Sequence, residues 1–174
     1  MVKFFTGIIF ALIVVAGLGF SYFRFGFVPV ATDSPDMPFE RPLAHMGLNA
    51  HIDKEAPKQP PFQASKEDFL SAAHLYREHC AVCHGLPGEP KTAIAKGMYP
   101  KPPKLMEGKG VTDDSAGETY WKIANGIRLT GMPAYNKSLS EKEMWQISQL
   151  LAGADKLPAE VTDLLKKPVA VEAQ

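Results

Sequence analysis

Cys80-Ala81-Val82-Cys83-His84 places two thiols one helical turn apart, with an imidazole directly after the second. This is the C-x-x-C-H pattern of haem c attachment. Thiols at that spacing add to the two vinyl groups on one edge of a porphyrin, and the adjacent histidine then lies under the iron. Two other chemistries use paired cysteines. Structural zinc takes four ligands, and Cys80 and Cys83 are the only cysteines, with no second Cys/His pair at suitable spacing. A redox C-x-x-C opens a helix after a strand, whereas this motif ends a helix. One covalent haem c is the reading that remains.

Working outward, the residues before the motif form an amphipathic helix. Ser65-Lys66-Glu67-Asp68 gives an N-cap with an acid three residues on, a variant of the capping box. Phe69, Ala72, Ala73 and Tyr76 recur at helical spacing, and Cys80 is the next position on that face. Further helices are expected around Lys91–Lys96, over Gly117–Asn125 with Gly126 ending it, and from Ser140, paired with Glu143, to near Gly153. Leu157–Lys167 is expected to add a short one. No alternating strand pattern of useful length occurs, so the fold class is all-α.

A haem iron needs a sixth ligand or an open position. Met132 is the best candidate, in Thr130-Gly131-Met132-Pro133-Ala134 just past the third helix. The glycine lets the backbone turn close to the haem and the proline stiffens the loop. A thioether raises the reduction potential relative to a second histidine. Met98, Met106 and Met144 read as core or haem-wall residues, because methionine fills gaps. Met37 and Met46 lie far upstream. His74 and His79 sit on the attachment helix, where neither easily reaches the opposite haem face. Tyr120 and Trp121 read as core or haem-pocket aromatics, with donation to a propionate as the other reading. Arg128 is either a propionate partner or solvated.

Upstream, Phe4–Phe23 is an uncharged apolar run, FFTGIIFALIVVAGLGFSYF, flanked by Lys3 and Arg24. It is long enough to cross a hydrocarbon core of about 30 Å as a helix. A cleaved signal peptide is the alternative; its apolar stretch is usually shorter, and no good small-x-small site follows. Tyr22, Phe23, Phe25 and Phe27 suit an interfacial aromatic belt. Seven prolines between Val28 and Gln63 favour extended, stiff chain. One short helix over Leu43–Lys54 interrupts it, with His45 and His51 on its surface. The expected organisation is an anchor and interface at 1–27, a linker at 28–63, a haem domain at 64–153 and a tail at 154–174. Net charge is zero, which argues against a nucleic-acid partner. Two cysteines exclude a disulfide framework.

These residues resemble the class I mono-haem cytochromes c, particularly bacterial domains attached to terminal oxidases and dehydrogenases. The resemblance covers about Ser65 to Ala152. It rests on Cys80–His84, on the Gly85–Gly88 loop, on Pro103-Lys104-Leu105 and on the run around Met132. It implies a small helical domain around one haem, with His84 and Met132 as axial ligands. It implies that the carbonyl of Pro103, or of neighbouring Pro102, accepts from the free ring nitrogen of His84, and that Leu105 packs on the haem edge. It further implies a crossing of first and last helices, with Ala72 and Tyr76 facing Ile147, Leu150 and Leu151; alanine replaces the usual glycine.

With both axial positions filled, only outer-sphere electron transfer remains, so a carrier is expected rather than an enzyme. The expected site is the cytoplasmic membrane, single-pass, with the haem domain in the periplasm and membrane redox complexes as partners. A fixed subunit of an oxidase or dehydrogenase is the first alternative. A ligand-binding sensor with displaceable Met132 is the second. Lys91, Lys96, Lys101, Lys104 and Lys109, against Glu107 as the only acid in that span, suggest a basic docking edge.

Overall fold

Ser65, Ser115 and Ser140 each start a helix by the same device. Each hydroxyl accepts from the backbone N–H three residues on, and the acid there accepts from the serine N–H in return. These reciprocal bonds satisfy helix-end donors that would otherwise be orphaned. The computed structural model describes residues 1–107 and 112–167, and its regular structure is entirely helical. Those residues form two compact units, Met1–Ala44 and His45–Gln174.

In the first unit, α1 spans Val2–Arg24, with none of its residues buried. At 1.5 Å per residue its 23 residues reach about 35 Å, enough for a bilayer core. It is a candidate single membrane span. The next helix, α2 (Glu40–Glu55), starts in this unit, where the Glu40 carboxylate accepts from the Met37 N–H at 2.8 Å.

Among the described residues, the second unit holds the rest of α2 and six further α-helices. These are α3 (Lys66–Leu75), α4 (Ala81–His84), α5 (Ala93–Gly97), α6 (Ala116–Asn125), α7 (Glu141–Ala152) and α8 (Ala159–Lys166). Its core is the crossing of α3 with α7. Ala72, Tyr76, Ile147 and Leu150 are all fully buried there, and α6 adds Ile123 and Ala124. The small Ala72 lets the helix axes approach, and truncating Ile147 to alanine would cost about 2–5 kcal/mol. Tyr120 stacks on Trp145 at 4.2 Å between ring centroids, joining α6 to α7. A polar tie reinforces the crossing: Gln146 Nε2 donates to Asp68 Oδ1 at 2.8 Å.

Three features differ from the sequence expectations. Tyr76–Cys80 is a π turn rather than a continuation of α3, with the Ala81 N–H bonded to the Tyr76 carbonyl. The extra residue shifts the helix phase, so Ala81 is buried while Val82 faces solvent. Second, α8 is part of the core: Val161 and Leu165 are buried in it, and the Arg77 guanidinium donates to the Leu164 and Lys167 carbonyls at the helix end. Third, part of the proline-rich segment packs. Ile52 is buried and Trp121 Nε1 donates to Glu55 Oε2 at 3.0 Å; just past the segment, the Ala64 N–H donates to Gln149 Oε1 at 3.0 Å. The Pro57 carbonyl lies so close to Gly117 that an added Cβ would sit 1.8 Å from its oxygen. Proline stiffens a chain without preventing it from lying along a groove.

Candidate functional site

The attachment segment ends α4. Cys80 and Cys83 are half-buried, unbridged thiols. Burial, with a smaller contribution from Cys83, pushes the Cys80 thiol up to about 12. Gly85, at φ +80°, stops the helix immediately after His84. The fully buried Tyr76 side chain donates its hydroxyl to the Gly85 carbonyl at 2.8 Å and fixes that turn.

His84 Nδ1 lies 2.8 Å from the Pro103 carbonyl. A carbonyl only accepts, so Nδ1 carries the proton and Nε2 keeps its lone pair. Burial holds His84 below the usual imidazole value; the Pro103 carbonyl opposes this and the Lys91 ammonium adds to it. A neutral ring with one free lone pair is the form that ligates a metal. Of the two prolines, Pro103 meets the histidine, while the Pro102 carbonyl accepts from Lys91 Nζ at 3.2 Å. The Gly85–Gly88 loop is fixed from the same segment, the Gly88 N–H donating to Glu107 Oε2 at 3.1 Å. Leu105 and Met106 are half-buried against the core.

The loop after α6 carries Met132. Gly126, at φ +65°, lies so close to it that a Cβ would come within 2.7–2.8 Å of three backbone atoms of Met132, Pro133 and Ala134. The Ile127 N–H donates to the Met132 carbonyl at 3.1 Å, and the Met132 N–H donates to Thr130 Oγ1 at 3.0 Å. Met132 is half-buried, beside Tyr135 at the edge of the core. Met98 is half-buried, with its side chain against Gly131, where an added Cβ would meet the Met98 methyl at 2.0 Å. Leu129, 93 % exposed and at φ +60°, projects from the same loop.

A family profile described as cytochrome c oxidase, cbb3-type, subunit III, matches residues 67–151. Residues 67–151 are a class I c-type cytochrome domain. Such a domain implies covalently bound haem c. The donors fit that group: two unbridged thiols on one turn, an imidazole with Nε2 free, and a half-buried thioether on a separate loop. A solved structure of the Kuenenia stuttgartiensis reducing HAO-like protein complex is similar at 22% identity and a TM-score of 0.48. That likeness covers 60% of this chain and 53% of that one, so the chain spans about half of that relative's length. No curated protein sequence matches the chain.

Around the cytochrome domain's attachment motif, the lysines divide. Lys96 and Lys101 are exposed, although Lys101 Nζ donates to the Lys96 carbonyl at 2.9 Å. Lys104, one of the lysines of the expected basic edge, is half-buried and ion-paired with Glu107. Lys109 lies outside the described residues. Trp121 has a partner that sequence did not indicate, Glu55, and that bond is the largest cause holding the Glu55 carboxyl below its ordinary value. His45, His51 and His74 are exposed, with His51 beside Glu55 at 3.3 Å. His79 is half-buried against the Tyr135 ring.

Proposed function

We propose that this chain is a membrane-anchored, mono-haem c-type cytochrome that carries single electrons between redox partners and is not itself an enzyme. In this reading Cys80 and Cys83 hold the haem through thioethers. His84 and Met132 are the axial ligands, and Pro103 and Leu105 support the His84 side. The bound group supplies a ferric/ferrous couple. Cys80, Cys83 and His84 would hold and orient it, the Pro103 carbonyl keeps His84 in one tautomer, and the Met132 thioether would supply the remaining ligand to the iron. The observation that carries the reading is His84: neutral, Nδ1–H committed to Pro103, Nε2 free, and one residue from a half-buried thiol.

Phe4–Phe23 would keep the domain at the cytoplasmic membrane, single-pass, with the haem domain in the periplasm. Tethering raises the effective concentration of a carrier beside a membrane oxidase or dehydrogenase. Exposed Lys96 and Lys101 would draw an acidic partner toward the haem edge. A second reading, a haem subunit fixed within a larger complex, is favoured by the description of the matching family.

The test is the intact mass of the membrane-extracted protein, with its alkaline pyridine spectrum after acid-acetone extraction. One non-extractable haem per chain, on a chain retaining Phe4–Phe23, is expected. Freely extracted haem, or two haems per chain, would refute the attachment reading. A soluble mature chain starting beyond Arg24 would refute the anchor.

A further inference from the structure

We infer that Tyr135 is a positioning residue for Met132, its hydroxyl tying the methionine loop to the helix that carries the attachment motif. The inference rests on the proposed ligation by Met132. It starts from how that loop is held. Its backbone bonds lead back to α6: Ile127 N–H to the Met132 carbonyl at 3.1 Å, and Tyr135 N–H to the Ile123 carbonyl at 2.9 Å. Gly126 packs under the Met132–Ala134 backbone from the same helix end. These ties fix the loop to α6 and do nothing to set its distance from the attachment segment.

Tyr135 reaches the other way. Its hydroxyl donates to the His79 carbonyl at 2.8 Å, and its ring sits 5.9 Å from the His79 imidazole. His79 is one residue before Cys80, and Tyr135 is three residues after Met132. The bond therefore joins the two segments that carry the proposed axial ligands. The accepting carbonyl belongs to the π turn, where the helix ladder is already displaced by one residue. Burial keeps the Tyr135 phenol protonated, so the donor persists across neutral pH.

The physical consequence is preorganisation. A neutral thioether is a weak donor, and its occupancy depends on how much freedom the loop loses when the sulfur reaches the iron. A loop already tied at His79 has less to lose. Without the hydroxyl, the loop keeps its ties to α6 but loses its hydrogen bond to the attachment segment, and Met132 dissociates more often.

The experiment uses the full-length holoprotein in detergent. Tyr135→Phe keeps the ring against His79 and removes only the hydroxyl. Cyanide binding to the ferric protein, which requires Met132 to leave, should strengthen on the order of fivefold, the scale of one lost net hydrogen bond. The weak red-region sulfur-to-iron charge-transfer band should fade at a lower temperature than in the wild type. In a Met132→Ala background the same substitution should leave cyanide binding unchanged, since no thioether remains to be positioned. Unchanged band and cyanide binding in Tyr135→Phe would overturn the inference. So would equal strengthening with and without Met132, which is the signature of a merely structural role. A wild-type protein lacking the band would overturn the Met132 assignment, and the inference with it.

Discussion

The attachment segment and the methionine loop meet the same proposed group by opposite means. Tyr76–His84 is helical throughout and stops at Gly85, whose carbonyl is gripped by a buried tyrosine hydroxyl. Its key residues are neighbours in sequence. Ile127–Tyr135 has no regular structure, contains a left-handed Leu129, and depends on contacts with α6, Met98 and His79. One proposed ligand sits in local helical geometry beside the attachment cysteines, the other on a loop that distant residues hold in place. The difference teaches where this site is soft: disturbance far from the haem should reach Met132 before it reaches His84.

The largest expected effect breaks the firm side. Replacing Cys80 and Cys83 with alanine should abolish covalent attachment, read as loss of the haem mass increment and full extraction of pigment into acid-acetone. Next comes the soft side. Met132→Ala should remove the sulfur-to-iron band and open the iron to carbon monoxide and cyanide, whereas Met98→Ala and Met106→Ala should leave the band in place. Carbon monoxide binding to the unaltered ferrous protein would instead favour the sensor reading.

A third variant separates the two regions. Gly126→Val combines a left-handed backbone with a Cβ under 3 Å from three backbone atoms of the loop. Strain of this kind costs about 1–3 kcal/mol. The band should weaken and the urea midpoint fall, while covalent attachment stays complete. Loss of attachment together with the band would show that the two sides are not independently held.

The smallest effect concerns the start of the attachment helix. Asp68 is held far below the ordinary carboxylate range, first by the Ser65 N–H, then by Gln146, the Ser65 hydroxyl and Lys142. A carboxyl depressed in the folded state stabilises fully above its unfolded value of about 3.9, and that contribution is lost as pH falls below it. Asp68→Asn should therefore lower the urea midpoint at neutral pH and flatten its decline toward acid. Curves for the two proteins that stay parallel down to roughly pH 3 would contradict the assignment.

Much of this was legible because it is local. The Ser65 and Ser140 caps are four-residue patterns, and each starts its helix where the pattern puts it. Ser115-x-x-Glu118 carries the same signature and places the α6 start at Ala116, one residue before the periodicity suggested. The π turn left no such trace, because Tyr76 and Cys80 look in phase on an ordinary helix. The partners of Lys104 and Trp121, Glu107 and Glu55, are identified only by the folded chain.

By itself the sequence determined the helical class, the haem-attachment chemistry and the apolar candidate span, all written in short runs of neighbouring residues. Tertiary structure decided what depends on residues far apart. His84 meets the Pro103 carbonyl, while Lys91 meets that of Pro102. Pro57 lies on Gly117 and packs part of the proline-rich segment onto the cytochrome domain. Tyr135 reaches His79 across 56 residues of chain. Spacing along a helix fixes which side chains share a face, but which donor finds which carbonyl is settled only when buried groups compete for partners in a closed core.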